Sequence, residues 1–141
     1  MDLRKLALKI LPNRLAVCRL KADAPLPDWI DESDFSSITR TEKELTIVCD
    51  EELVASGTTS ETGWRCIEVE GPLDFSEIGI VFSLTQPLAE IGVAVFLIST
   101  FDTDYLMVKE KDLAKTIDTL TAAGHRVTAG DRSQNSEVRS K

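Results

Sequence analysis

The sequence has little of the chemistry on which most catalytic sites depend. Its 141 residues include one histidine, His125, and contain no G-x-S-x-G, no H-E-x-x-H and no glycine-rich phosphate loop. The three cysteines, Cys18, Cys49 and Cys66, are far apart and flanked by apolar residues, which fits neither a disulfide framework nor a zinc site. We therefore expect no catalytic activity, no metal, no cofactor and three buried, reduced thiols.

Long apolar runs and excess positive charge are also lacking. The longest apolar stretch, residues 91–98, falls short of the roughly eighteen residues that a membrane-spanning helix needs. Acids outnumber bases by 24 to 16, for a net charge of −8, which disfavours nucleic acid and anionic membranes as partners. No signal-peptide pattern follows the basic N-terminal stretch, so a cytoplasmic location is expected. The partner should be neutral, cationic or zwitterionic.

The negative charge is concentrated in the middle of the chain. Residues 21–77 contain fifteen acids and only four bases. The run Asp50-Glu51-Glu52 does not resemble a calcium loop, because consecutive carboxylates point to different sides and the glycine of the bend is missing. This region is therefore expected to form a solvated acidic surface.

What the sequence does contain is enough apolar residues, 43 %, for a core. In the first half the patterns favour strands over helices. Short apolar runs over residues 6–11 and 15–20 flank Pro12-Asn13, which predicts two strands or one strand with a break. Residues 35–41 and 44–49 predict a hairpin. The polar stretch 56–63 predicts a loop and a domain boundary, and residues 64–69 alternate like a strand.

The second half predicts two helices. The first spans residues 76–91, is capped by Asp74 or Ser76, and is kinked at Pro87, which lacks the N–H that would bond to Ser83. Strands 93–99 and 105–108 follow as a second hairpin. The second helix spans residues 110–123, and a short strand covers 125–128. His125, next to the end of that helix, is expected to face solvent, and residues 129–141 to be disordered.

An internal repeat relates the two halves. Sliding the chain by sixty residues places residues 37–53 over 97–113 without a gap, with several apolar and acidic positions shared. The order strand, helix, two strands, helix, strand in the second copy is that of a ferredoxin-like unit. We predict an α+β fold of two tandem ferredoxin-like βαββαβ units packed side by side, with residues 1–62 forming a first unit whose first helix is degenerate. Residues 63–128 form the second unit.

The segment PLDFSEIGIVFSLTQPLAEIGVAVFLISTFDTDYLMVKEKDL resembles ACT domains, small regulatory modules that bind amino acids. Its string STFDTDYLMVKE is similar to the hairpin of aspartokinase regulatory domains and of the cytosolic arginine-sensor ACT family. The first half, with FSSITRTEKELTIVCDEEL and GWRCIEVEGPLDF, is similar to bacterial proteins with two ACT units in one chain. The resemblance covers about residues 3–128.

The resemblance implies that a free amino acid binds between two ACT units, near the start of the first helix and the TFxTD-type loop. The ligand-binding residues it indicates are Gly79, Ile80, Thr100, Phe101, Thr103 and Asp104. N–H groups near Gly79 and Ile80 would receive the carboxylate, and Asp104 an ammonium or guanidinium group. Phe101 would form a wall of the pocket. The alternative is structural: Gly79 permits tight packing, and Asp104 and the threonines cap a turn.

Two functions therefore remain open. The first is a non-catalytic regulatory protein that binds a free amino acid. The second is a protein-interaction module that uses its sheet edges or acidic face without a small ligand. A homodimer or a partner protein is compatible with both. A kinase activity is not expected, because no kinase domain accompanies the regulatory one.

Overall fold

The structure, a computed structural model, describes residues 5–71 and 79–130. Within this part of the chain it contains seven strands, two α-helices and three short 310 helices. In chain order the main elements are β1 (Ala7–Leu20), β2 (Ser37–Arg40), β3 (Leu45–Asp50), β4 (Thr59–Val69), α1 (Ile80–Glu90), β5 (Phe96–Ser99), β6 (Asp104–Lys109), α2 (Leu113–Ala122) and β7 (Arg126–Ala129). The predicted α+β class is confirmed. No helix in the two described segments has the length and apolarity needed to cross a membrane.

The chain divides into two compact units. The larger unit comprises Met1–Pro12 and Arg65–Lys141, as far as these are described, and the smaller unit comprises Asn13–Trp64. The strands β1 and β4 each contribute residues to both units. The sequence-based division into 1–62 and 63–128 stays a prediction. Of the predicted disordered tail, Ala129 belongs to β7, and residues 131–141 lie outside the described part.

The larger unit has the element order that the sequence predicts for its second ferredoxin-like copy. From β4 onward, strand, helix, two strands, helix and strand follow one another. In its sheet β5 lies beside β6, β6 beside β4, and β4 beside the first half of β1, which in turn pairs in parallel with β7. A strand from outside residues 63–128 is therefore inserted into this sheet.

The core of the larger unit lies between the sheet and its two helices. Of the apolar stripe Ile80, Leu84, Leu88 and Ile91 that the helical spacing predicts, Ile91 is 42 % exposed just beyond the end of α1, whereas Ile80, Leu84 and Leu88 are at most 5 % exposed. They pack against strand residues such as Ile67 and Leu106. Each such side chain contributes about 1.5–3 kcal/mol on burial. On α2, Leu120 is fully buried, so both helices cover one face of the sheet.

The smaller unit has a thin core. Its strands follow the order β2, β3, β1, with Leu15 to Leu20 of β1 antiparallel to Asp50 to Leu45 of β3. Where the second copy has α1, this unit has a single 310 helix, Asp28–Glu32. Trp29 and Ile30 of that helix pack on buried residues of β1 and β3. The first helix of this copy is thus reduced to a five-residue 310 helix, in keeping with the degenerate helix expected there.

The repeat between the two hairpins is real, but its period is 59 residues and not the predicted sixty. Ser37 pairs with Val48 in the first hairpin, and Phe96 pairs with Met107 in the second. A period of 59 superimposes β2 on β5 and β3 on β6 end to end. A one-residue slip would exchange the two faces of a strand. At 59 the core-facing Ile47 corresponds to the core-facing Leu106.

Several predicted boundaries differ from the structure. Ala7–Leu20 form one strand through Pro12-Asn13, and the predicted break is visible as an interruption of the alternating burial pattern. β4 begins at Thr59, inside the predicted loop 56–63. The second helix starts with a 310 turn, Glu110–Asp112. Both α1 caps proposed from sequence, Asp74 and Ser76, lie outside the described residues.

Candidate ligand site at the β5–β6 turn and the start of α1

The turn between β5 and β6 is held by its own two threonines. The Thr100 N–H donates to the Thr103 carbonyl at 2.8 Å, which closes the hairpin. The Thr100 hydroxyl oxygen lies 3.1 Å from that carbonyl and accepts the Thr103 N–H at 3.3 Å. These bonds favour the alternative in which the threonines cap the turn and so have a structural role.

Thr103 also ties the turn to the end of β4. Its side chain is 7 % exposed, and its hydroxyl donates to the Val69 carbonyl at 2.6 Å. Since the hydroxyl proton is used in this bond, the Thr103 hydroxyl can act only as a hydrogen-bond acceptor towards a ligand. The turn is therefore fixed on the strand that leads towards α1.

Asp104, the first residue of β6, is half-buried. The Ser99 hydroxyl donates to its Oδ1 at 2.5 Å, and the two residues pair across the hairpin. Ser99 was not predicted as part of the site. The strand register would have placed it there, because it is the cross-strand neighbour of Asp104. The Ser99 bond orients the carboxylate before any ligand is present.

Phe101 projects from the same turn. Its side chain is 79 % exposed, although large aromatic rings are usually buried to a high degree. Together the structure places Thr100, Phe101, Thr103 and Asp104 in one short segment. That segment presents one carboxylate and one aromatic ring.

Gly79 lies directly before α1 in the left-handed region, with φ of +84°. Its carbonyl accepts the first helical hydrogen bond, from the Ser83 N–H at 2.9 Å. No atom lies within 4 Å of the position that a Cβ would take, so packing does not require a glycine here. The conformation does. Ile80 is 5 % exposed and anchors the helix start in the core.

The first turn of α1 offers unpaired backbone N–H groups, as every helix start does. Residues 72–78, which connect β4 to Gly79, are outside the described part of the chain. The structure therefore describes the two parts of the predicted site separately. Gly79 and Ile80 form one part, at the helix start. Thr100, Phe101, Thr103 and Asp104 form the other part at the turn.

His125 is buried, and the prediction that it faces solvent is wrong. It is 4 % exposed; its Nδ1 accepts the Leu6 N–H at 3.1 Å, and its Nε2 lies 3.1 Å from the Ser83 carbonyl. Because Nδ1 is an acceptor, the ring is neutral and Nε2 carries the proton. The helix-end glycine suggested exposure, but the backbone just before β1 and the backbone of α1 bond both ring nitrogens and bury the ring.

The three cysteines are buried with free thiols. Burial raises the pKa of the Cys66 thiol, with a smaller contribution from Glu68. Burial also raises the pKa of Glu68, and that of Tyr105 on the neighbouring strand. The Cys66 thiol is therefore not activated as a nucleophile, since a thiol with a raised pKa carries little thiolate at neutral pH. Within the described segments no three metal-binding side chains lie together.

Comparison with known proteins gives the family of the larger unit. The family model described as ACT domain matches residues 59–122, a range that contains all six predicted site residues. A second model, for an N-terminal domain, matches residues 13–57. Subunit 1 of the cytosolic arginine sensor for mTORC1 from Rattus norvegicus is 42% identical over 65 residues, 44% of this chain and 20% of that protein.

The Homo sapiens arginine-sensor subunit is 32% identical over 108 residues, 70% of this chain and 32% of that protein. This chain spans a fifth to a third of the length of these curated relatives.

Solved structures extend the likeness to almost the whole chain. An Agrobacterium tumefaciens protein is 40% identical, with a TM-score of 0.86 over 92% of this chain and 96% of that one. The regulatory subunit of aspartate kinase from Thermus flavus shares the fold at 9% identity, with a TM-score of 0.55 over 87% of this chain and 99% of that one. By the match over residues 59–122, this part of the chain belongs to the ACT-domain family.

Proposed function

We propose that this chain is a non-catalytic regulatory protein that binds a free amino acid at the start of α1 and the β5–β6 turn. The observation that carries the proposal is the ACT match over residues 59–122, which includes Gly79 and Asp104. The named arginine sensors among its relatives make arginine the first ligand to test.

The chemistry of the two segments supports this proposal. Gly79 has open space on its Cβ side, so a carboxylate has room to approach the backbone N–H groups at the helix start. Asp104, oriented by Ser99, offers a carboxylate for an ammonium or guanidinium group. Phe101 supplies an exposed apolar wall. Two charge-assisted contacts of this kind give micromolar to millimolar affinity, which suits a metabolite sensor.

A thermal-shift screen of the twenty amino acids tests the proposal. A ligand that binds only the folded state stabilises it by about 2.7 kcal/mol at a hundredfold excess over Kd. We expect one or a few amino acids to raise Tm, and Asp104→Ala to abolish that rise. The melting temperature of the unliganded variant should change little, because Asp104 is half-buried at a turn.

Asp102→Ala is the matched control. Asp102 is an exposed carboxylate in the same turn, so its removal changes the net charge equally without removing the proposed ligand contact. Equal loss of binding in both variants would indicate a general charge effect. The absence of any shift with all twenty amino acids would reject the proposal.

The second candidate function is a protein-interaction module. Its support is the edge strand β5, which has a single neighbour in the sheet order and carries the exposed Leu97, with the exposed Phe101 just beyond it. Edge strands offer unpaired backbone groups to a partner strand. Replacing Leu97 with lysine should abolish partner or self association by sedimentation while leaving any amino-acid binding intact.

A further inference from the structure

An open groove in the smaller unit is independent of the ACT site. It has a volume of about 690 Å³ and lies between the end of β1 with its following turn and the segment that enters β4. A volume of this size is typical of small-molecule sites. The groove shares no residue with the β5–β6 turn or the start of α1.

Two cations line one wall of the groove. Arg19 is the penultimate residue of β1 and Lys21 directly follows the strand, and both line the groove. Among the described residues Arg19 makes one hydrogen bond, to the Lys43 carbonyl at 3.3 Å, so most of its five donors remain available. Lys21 has no ion pair or side-chain hydrogen bond within the same part of the chain.

The opposite wall supplies hydroxyl and backbone groups. Gly57, Thr58 and Thr59 line it, in and after a turn closed by the Thr58 N–H and the Ala55 carbonyl at 3.2 Å. Gly57 has φ of +89°, and nothing lies within 4 Å of where its Cβ would be. The turn explains the glycine, and its missing side chain also leaves the backbone open to a ligand.

The wall that carries the cations is rigid. The Arg40 guanidinium donates to the carbonyls of Ala22 and Ala24, the latter at 2.8 Å. The Ala24 N–H in turn bonds the Lys21 carbonyl at 3.0 Å. These bonds fix the backbone that follows Lys21, which lowers the entropy that binding must remove from this turn.

The charge of the groove is opposite to that of the chain. Arg19 and Lys21 outweigh the single carboxylate at its rim, Asp23, whereas the whole chain has a net charge of −8. Two cations with nearby hydroxyl and backbone donors form the donor set that carboxylates and phosphates require. We infer that this groove binds a small molecule through a phosphate or carboxylate group.

An NMR titration of the full-length chain tests the inference, with inorganic phosphate and succinate as separate probes at constant ionic strength. We expect saturable shifts of the Gly57, Thr58 and Thr59 amides with at least one probe. Preference for one probe identifies whether the natural ligand presents a phosphate or a carboxylate. Shifts that never saturate, or that spread evenly over the surface, would overturn the inference.

The double variant R19Q/K21Q should lose affinity by about tenfold or more, since each charge-assisted contact carries about that much. K111Q/K115Q is the matched control, because it removes two cations from the larger unit and should bind normally. If R19Q/K21Q does not fold, K21Q alone serves, since the side chain of Lys21 makes no ion pair or hydrogen bond with the described residues. Unchanged affinity in the folded variant would refute the site. D104A should bind phosphate or succinate normally, because Asp104 does not line the groove. Failure of the groove proposal can therefore be told apart from failure of the amino-acid proposal.

Discussion

The imidazole of His125 bonds the backbone carbonyl of Ser83, with 3.1 Å between Nε2 and the oxygen. In an unbroken helix this carbonyl would accept the N–H of residue 87, but that residue is Pro87. His125 therefore replaces the donor that the proline removes. Its other ring nitrogen accepts the Leu6 N–H, so one side chain joins α1 to the residue that precedes β1.

Replacing His125 with leucine should destabilise the protein by about 2–4 kcal/mol. The substitution leaves two buried backbone groups unpaired, each at a cost of about 1–3 kcal/mol. In a Pro87→Ala background the loss should be smaller by about 1 kcal/mol, because the N–H of the new alanine bonds the Ser83 carbonyl. Urea unfolding of the wild type, both single variants and the double variant measures this coupling. Equal losses in the two backgrounds would contradict the replacement of one donor by the other.

Glu68 should make the protein less stable as the pH rises from acid to neutral. Burial raises its folded pKa above the usual value of 4.5, Lys9 opposes that rise, and Glu70 adds to it. The folded state then binds more protons than the unfolded state between the two pKa values, so stability is fully present below the unfolded pKa. That stability is lost as the pH passes through the folded one.

Glu68→Gln tests this dependence. The amide needs no proton, so the variant should melt at a higher temperature than the wild type at neutral pH and show a flatter dependence of Tm on pH. Glu52→Gln, at an exposed carboxylate of the smaller unit, should leave the slope as it is. A wild-type Tm that does not fall between acid and neutral pH would argue against a desolvated Glu68.

The sequence predicted the elements whose patterns are local. The stripe of Ile80, Leu84 and Leu88 follows helical spacing, and both hairpins show apolar runs around short polar turns. Their positions were correct to within a few residues. The family resemblance also predicted the ACT fold, and most of the residues that carry it lie within 59–122, the range that the ACT family model matches.

Features that depend on distant partners were not predictable. The insertion of β1 beside β7 joins Ala7 to Arg126, and no spacing along the chain indicates that pairing. The burial of His125 depends on the same strand. The period of 59 was missed because consecutive residues of the inner hairpin strands are apolar and buried, such as Ile47 and Val48 in β3 or Leu106 and Met107 in β6. Sequence likeness between such strands does not fix the register to one residue. Ser99 became part of the site only when the hairpin register was known.

Thr103 should contribute more to the stability of the fold and of the β5–β6 turn than to ligand binding. Thr103→Val keeps the side-chain shape but removes the bond to the Val69 carbonyl, so we expect a loss of about 1 kcal/mol in unfolding free energy. Thr103→Ser retains the hydroxyl and is the matched control. Hydrogen exchange should report faster opening of the β5–β6 turn in the valine variant alone. Equal stability of the valine and serine variants would show that the bond contributes nothing.

Gly79→Ala separates the conformational role of this glycine from its proposed role in binding. With φ of +84° and nothing near its Cβ position, the substitution introduces backbone strain without a clash, at a cost of about 1–2 kcal/mol. Gly79→Asn should cost less, because asparagine tolerates the left-handed region better than alanine does. Both side chains would project into the space where we propose that the ligand carboxylate lies. If a ligand is found in the thermal-shift screen, both variants should weaken its binding although they differ in stability, which calorimetric titration and urea unfolding measure separately. Full affinity in the asparagine variant would move the carboxylate away from Gly79.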